Sequence, residues 1–181
     1  MPNRTQARRV VLVSGMPGAG KTTIAAPLAA ALGLPLASKD YVKETLFDAL
    51  AGPSGDLTFS RQIGGAAMEI LWAVAERSPG VVLEANFRPH SDYERTRIRA
   101  LNADVVEVFC ECGPAEAARR FAARAMEGGH AAHPLKELPA DLMCEFDGPV
   151  GIGHVIRVDT TGPVDVPFLS KMIREAFARQ S

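Results

Sequence analysis

Apolar residues in this chain fall into short unbroken runs, separated by stretches in which they recur every three or four positions. Val10, Val11, Leu12 and Val13 form the first run. A run with no polar alternation predicts a strand buried on both faces, as in a parallel sheet. Residues 34–37, 81–85, 104–110 and 155–158 have the same character and predict four more strands. Between the first two, residues 22–32 are alanine-rich and predict a helix closed by Gly33, with a kink at Pro27, which has no backbone donor. Val42, Leu46 and Leu50 recur at helical spacing over 41–50, and Gly52, Pro53, Ser54 and Gly55 break that helix. Thr58 or Ser60 is the expected cap of the next helix. In it Ile63, Ala67, Ile70, Leu71 and Val74 share a face, Gly64 and Gly65 weaken the start, and Trp72 packs at the edge. Ser91 or Asp92 caps a charged helix to about 101, Pro114 opens one reaching 126, and a closing helix covers 167–179. Gly128, Gly129, His130, His133 and Pro134 mark a flexible segment with no period.

Strands that alternate with helices pair in parallel through right-handed crossovers. The expected fold class is therefore α/β, a three-layer sandwich around a five-stranded parallel sheet. At 181 residues the chain suits one core, so residues 9–181 are expected to form a single domain behind a flexible polar tail, residues 1–8. In such sheets ligands bind beyond the carboxyl ends of the strands. Those ends are where candidate chemistry should be sought.

Charge and cysteines narrow the partners. With 20 basic and 21 acidic residues the net charge is -1, which disfavours a broad polyanion-binding surface and makes nucleic acid an unlikely partner. Cys110, Cys112 and Cys144 are too few and too scattered for a disulfide scaffold, so a reducing, cytoplasmic setting is expected. Arg4, Arg8 and Arg9 precede an apolar run, but that run is consumed by the first strand, and no stretch has the length of a membrane span.

The first strand leads into Gly15, Met16, Pro17, Gly18, Ala19, Gly20, Lys21, Thr22 and Thr23. Gly15 to Thr22 fits the phosphate-binding pattern of two glycines with four residues between them, then lysine and a hydroxyl residue, between a strand and a helix. Glycines let backbone N–H groups converge on phosphate oxygens, and the following helix turns its positive end to the same anion. Lys21 reaches the β- and γ-phosphates as a mobile charge, and the Thr22 hydroxyl is the expected Mg²⁺ ligand.

Asp40, Glu84 and Asp159 also fall at strand ends. Asp40 could accept the proton of an attacking hydroxyl, or cap the helix after it. Glu84 could hold Mg²⁺ through water, bind a substrate hydroxyl, or be an ion-paired edge carboxylate. Asp159 lies in a loop near an adenine or in an ordinary turn. Arg120 and Arg124 share a helix face and could close over phosphates as part of a lid near 120–135; alternatively Glu116 pairs with Arg120 on a solvated surface. Lys43 could meet phosphate or solvent. A zinc site from Cys110, Cys112, His130 and His133 is rejected on spacing.

Taken together, the phosphate loop, Asp40 to Lys43, Glu84 to Phe87 and Arg120 to Arg124 resemble the small P-loop kinases of the adenylate-kinase-like group. The resemblance spans nearly the whole length and is greatest to the branch with chloramphenicol phosphotransferase, zeta toxins and polynucleotide 5′-hydroxyl kinases, often labelled AAA-type predicted kinases. It implies sheet order 2-3-1-4-5, Asp40 as base, Lys43 near the reacting phosphate, Arg120 and Arg124 as the lid pair, and the 159–163 loop beside adenine. Glu84 departs from the aspartate of several relatives. The expected activity is an ATP- and Mg²⁺-dependent transfer of the γ-phosphate to a hydroxyl of a small-molecule acceptor. A nucleotide-binding regulatory ATPase or switch and a polynucleotide 5′-hydroxyl kinase are the alternatives. Neither the acceptor nor the oligomeric state is legible.

Overall fold

A computed structural model describes residues 8–180. Within them, β1 (Arg8–Ser14), β2 (Leu36–Ser38), β3 (Gly80–Glu84), β4 (Ala103–Glu111) and β5 (His154–Asp159) form one all-parallel sheet in the order β2-β3-β1-β4-β5. This is the expected α/β sandwich with the strand order of P-loop kinases. Val10 to Val13 of the central strand are wholly buried and alternate between two cores. Val11 and Val13 pack with α1 (Lys21–Leu32) and α7 (Val166–Gln180) through Ile24, Leu28 and Ile173. Val10 and Leu12 pack on the other face with α3 (Leu57–Arg77) and α4 (Asp92–Ala100) through Leu71, Trp72 and Ile98. The unbroken apolar runs are thus strands covered on both sides, where exposing either face would be costly.

Helix α2 (Lys39–Ala49) lies against α3, and α5 (Pro114–Met126) follows β4. Several boundaries differ from the sequence expectation. Helix α2 starts at Lys39 with Ser38 before it, so Asp40 occupies the first turn and is not the cap. The cap of α3 is Asp56, whose carboxylate accepts the Phe59 N–H at 2.9 Å, because Ser60 is buried inside the helix and bonded elsewhere. Trp72 is fully buried rather than at an edge, while Ile70 and Val74 are exposed, so the buried stripe of α3 is rotated from the predicted one. Helix α1 runs on through Pro27, which stands on its exposed side. A short helix, α6 (Ala140–Cys144), was not foreseen.

The tail expected over residues 1–8 lies outside the described residues except for Arg8. That residue begins β1, and its guanidinium donates to the carbonyls of Ser78, Leu101 and Glu76. No helix of the described residues is long and apolar enough to cross a membrane.

Candidate functional site

Parallel register brings three strand ends level: Val13 lies beside Glu84, and Glu84 beside Ser38. One or two residues further on stand the phosphate loop on one side and Asp40 on the other. The loop is shaped by its seat as well as by its expected ligand. Gly15 (φ +132°) and Gly18 (φ +84°) both have backbone angles that side chains rarely adopt. A Cβ at Gly15 would stand 2.4 Å from the Cys110 carbonyl oxygen, and one at Gly18 only 2.1 Å from that of Ala117. The end of β4 and helix α5 therefore press directly on the loop. Thr160, after β5, donates its hydroxyl to the Ala19 carbonyl at 2.8 Å and fastens the loop from a third side.

Ser14, the last residue before the loop, donates to Glu107 Oε1 at 2.6 Å. Glu107 is fully buried in β4 and also accepts the N–H groups of Val150 and Gly151, each at 2.9 Å. This carboxylate was missed in the sequence. Its signal was the same as that of Glu84, an acid inside an apolar run.

The loop opens onto a cavity of about 810 Å³, a size that suits a small ligand. Lys21, Thr22, Asp40, Glu84, Arg120 and Arg124 all line it, so the structure brings together every predicted side chain that would act on phosphate or hydroxyl. Lys21 donates to the Met16 carbonyl at 2.9 Å; burial lowers its pKa, opposed by the charges of Glu84 and Asp40. Glu84 is buried and accepts hydrogen bonds from Ser38 and, at 3.3 Å, from Thr22 Oγ1. Burial pushes its carboxyl above the usual range, against the pull of Ser38 and Lys21. A hydroxyl and a carboxylate adjoining a phosphate loop suit Mg²⁺, which takes few protein oxygens and completes its shell with phosphate and water.

Asp40 is partly buried, which alone would raise its pKa, yet the charges of Lys39, His133, Lys21 and Arg124 hold it below the usual range. It is therefore an ionised acceptor at neutral pH. Lys43, one helical turn on, points away from the loop: its ammonium donates to Ser60 Oγ at 2.8 Å and lies 3.5 Å from His133 Nδ1. Burial, reinforced by Lys39, brings its pKa down to about 8. His133 Nε2 in turn meets Glu44 at 3.0 Å, and His130 meets Asp48 at 3.3 Å. The segment read as flexible is thus fastened to α2 by two histidines, each opposite an acid.

The two arginines of α5 differ. Arg120 is held by Glu116 at 2.6 Å and by the carbonyls of Thr160 and Thr161 at 3.0 and 3.4 Å. Arg119 and Arg120 draw the Glu116 carboxyl down to about 2. Arg124 is exposed, lies over the Phe121 ring and bears electrostatically on both Lys21 and Asp40. Asp159 accepts the Thr161 N–H at 2.8 Å within an ordinary turn and does not line the cavity.

No curated protein matches the sequence. Among solved structures, a Chloroflexus aurantiacus J-10-fl protein with a provisional kinase designation is 29% identical, with TM-score 0.82 over 94% of this chain and 99% of its own. A gluconokinase from Sinorhizobium meliloti 1021 shares the fold at 18% identity and TM-score 0.55, covering 98% of this chain and 95% of its own. A shikimate kinase from Acinetobacter baumannii, in complex with shikimate, shares it at 14% identity and TM-score 0.58, covering 97% and 96%. A family model described as an AAA domain, AAA_33, matches residues 10–143, most of the sheet together with the loop and the cavity, and the chain belongs to that family.

Proposed function

We propose that this protein is an ATP- and Mg²⁺-dependent kinase that transfers the γ-phosphate to a hydroxyl of a small-molecule acceptor. The observation that carries this reading is the convergence on one cavity of Lys21, Arg124 and an ionised Asp40, beside the Thr22 and Glu84 pair. The loop amides and Lys21 hold the β- and γ-phosphates. Thr22 and Glu84 would hold Mg²⁺, which would supply neutralisation of phosphate charge.

Asp40 orients the acceptor hydroxyl toward the γ-phosphorus. As the new P–O bond forms and the bond to the β-phosphate oxygen breaks, ADP leaves and the hydroxyl proton passes to the Asp40 carboxylate. A carboxylate held below its usual range is a weak base. It therefore acts first by orientation and takes the proton late, as suits a loose phosphoryl transition state. Arg124 is free to swing onto the transferring oxygens, whereas Arg120 ties α5 to the 160–161 loop.

Turnover of a labelled-ATP acceptor screen tests the proposal. Lys21→Ala should abolish transfer, and Asp40→Asn should lower kcat by roughly 10²- to 10⁴-fold with the nucleotide Kd nearly unchanged. An equal loss of nucleotide affinity in the Asp40 variant would give that residue a structural role instead.

A further inference from the structure

Beyond Asp40 the cavity continues into a chamber that phosphate binding does not use. Part of its lining is apolar: Leu135, Leu138, Leu142 and Phe146, of which Leu138 and Phe146 are buried. Another part is cationic, with Lys39, Lys43, Arg61 and Arg88 against the two carboxylates Asp40 and Glu94. Arg88 is already neutralised by Glu145 at 2.6 Å, and Lys43 is held by Ser60. Lys39 and Arg61 have neither an ion pair nor a side-chain hydrogen bond among the described residues.

Two glycines of α3 lie on the lining of the chamber. Arg61, Gly64, Gly65 and Met68 follow one another at helical spacing along α3, and all face the cavity. A glycine inside a helix costs roughly 1 kcal/mol relative to alanine. At Gly64 a Cβ would lie 3.8 to 4.0 Å from the stems of Lys43 and Lys39, in ordinary van der Waals contact, so an alanine would fit against them. Gly65 has nothing within 4 Å of where its Cβ would stand. It leaves open volume beside Arg61.

Resting on the kinase reading above, we propose that this chamber selects an acceptor bearing an anionic group, a carboxylate or a phosphate, which Lys39 and Arg61 hold while its apolar part lies on Leu135, Leu138, Leu142 and Phe146. An uncharged acceptor would displace water from the half-buried Lys39 and the exposed Arg61 without replacing its hydrogen bonds, a cost that falls mainly on Lys39. An anion would supply them, and Arg61 can offer two parallel donors to either oxyanion.

Two measurements test this. In the first, hydroxy acids are compared with their methyl esters, and phosphorylated alcohols with their dephosphorylated forms, as acceptors with labelled ATP. The anionic member of the productive pair should have at least tenfold higher kcat/KM. Arg61→Met should erase that preference mainly through KM, and Arg61→Lys should restore part of it. Which class of pair reacts separates carboxylate from phosphate. Transfer to a neutral member as efficient as to its anionic partner would overturn the inference while upholding the kinase. In the second, sulfate is titrated by calorimetry into protein saturated with Mg²⁺ and AMP-PNP, so that the phosphate loop is filled. Millimolar binding, weakened at least fivefold by Arg61→Met and by Lys39→Met, supports the anion subsite even if no acceptor reacts, an outcome that would count against the kinase alone. Absence of sulfate binding to the loaded wild-type protein, or binding indifferent to both substitutions, would overturn it.

Discussion

Ser14 donates its hydroxyl to Glu107 Oε1 at 2.6 Å, and both side chains are buried in the middle of the sheet. The residue that launches the phosphate loop is thus anchored by a carboxylate that no water reaches. The same carboxylate closes the 150–151 turn through two backbone N–H groups.

Glu107→Ala strands two buried donors, the Ser14 hydroxyl and the Val150 N–H, each worth roughly 1 to 3 kcal/mol when left unsatisfied, and frees a third at the exposed Gly151. The expected loss is about 3 to 5 kcal/mol, a fall in Tm on the order of 10 °C for a chain of this length. Glu107→Gln keeps one acceptor oxygen and should lose about half as much. Thermal unfolding measures both, and a Tm within about 2 °C of wild type for the alanine variant would contradict this account.

Gly18 is constrained by packing and not only by conformation, since a Cβ would stand 2.1 Å from the Ala117 carbonyl. Gly18→Ala should destabilise by about 2 kcal/mol or more and weaken nucleotide binding at least tenfold. Gly33 also has a positive φ, but nothing lies within 4 Å of its absent Cβ. Gly33→Ala should cost about 1 kcal/mol and leave nucleotide affinity unchanged, and calorimetric titration of the two variants compares them directly.

Burial raises the Glu84 pKa, so a proton competes with a divalent cation for this carboxylate over a range where an ordinary glutamate would already be ionised. Apparent Mg²⁺ affinity in the nucleotide complex should therefore begin to fall at a higher pH than an ordinary glutamate ligand would allow. Glu84→Gln should weaken it about tenfold and leave only the pH dependence that the nucleotide's own terminal phosphate gives. An unchanged Mg²⁺ requirement in the variant would assign the metal to other groups.

Lys43 has its pKa lowered by burial from 10.5 to about 8, so the unfolded chain binds the proton more tightly than the folded one between those values. Stability then rises with pH across that window. The cost of the buried charge is fully present below about 8 and is relieved above 10.5, on the order of 3 kcal/mol in all. Lys43→Met has no such group, so the stability difference between wild type and variant should shift in favour of wild type as pH rises from 8 to 10.5. Denaturant unfolding at three pH values measures it, and parallel curves would place the titration elsewhere.

The reacting end of the cavity was readable because its geometry is local. A strand, six loop residues and a helix dictate where Lys21 and Thr22 stand, and Asp40 and Glu84 follow from the rule that ligands meet parallel strands at their carboxyl ends. The start of α2 was misplaced by two residues for the opposite reason: Ser38 donates its hydroxyl to Glu84, 46 residues away, and the helix begins directly after it, at Lys39 and not at 41.

The two arginines of α5 looked alike as an i,i+4 pair, and only their surroundings separate Arg120, engaged by the Thr160 and Thr161 carbonyls, from Arg124, which lies over the Phe121 ring.

Periodic hydrophobicity and a glycine-bounded lysine were sufficient, from the amino acids alone, to announce a parallel α/β sheet with an anion-binding turn at its centre. Folding had to bring Lys39 and Arg61 together with residues 135–146 around one cavity, and His133 onto Glu44 across 89 positions. Such groups acquire meaning through burial and mutual charge, which depend on distances in space that no local pattern encodes.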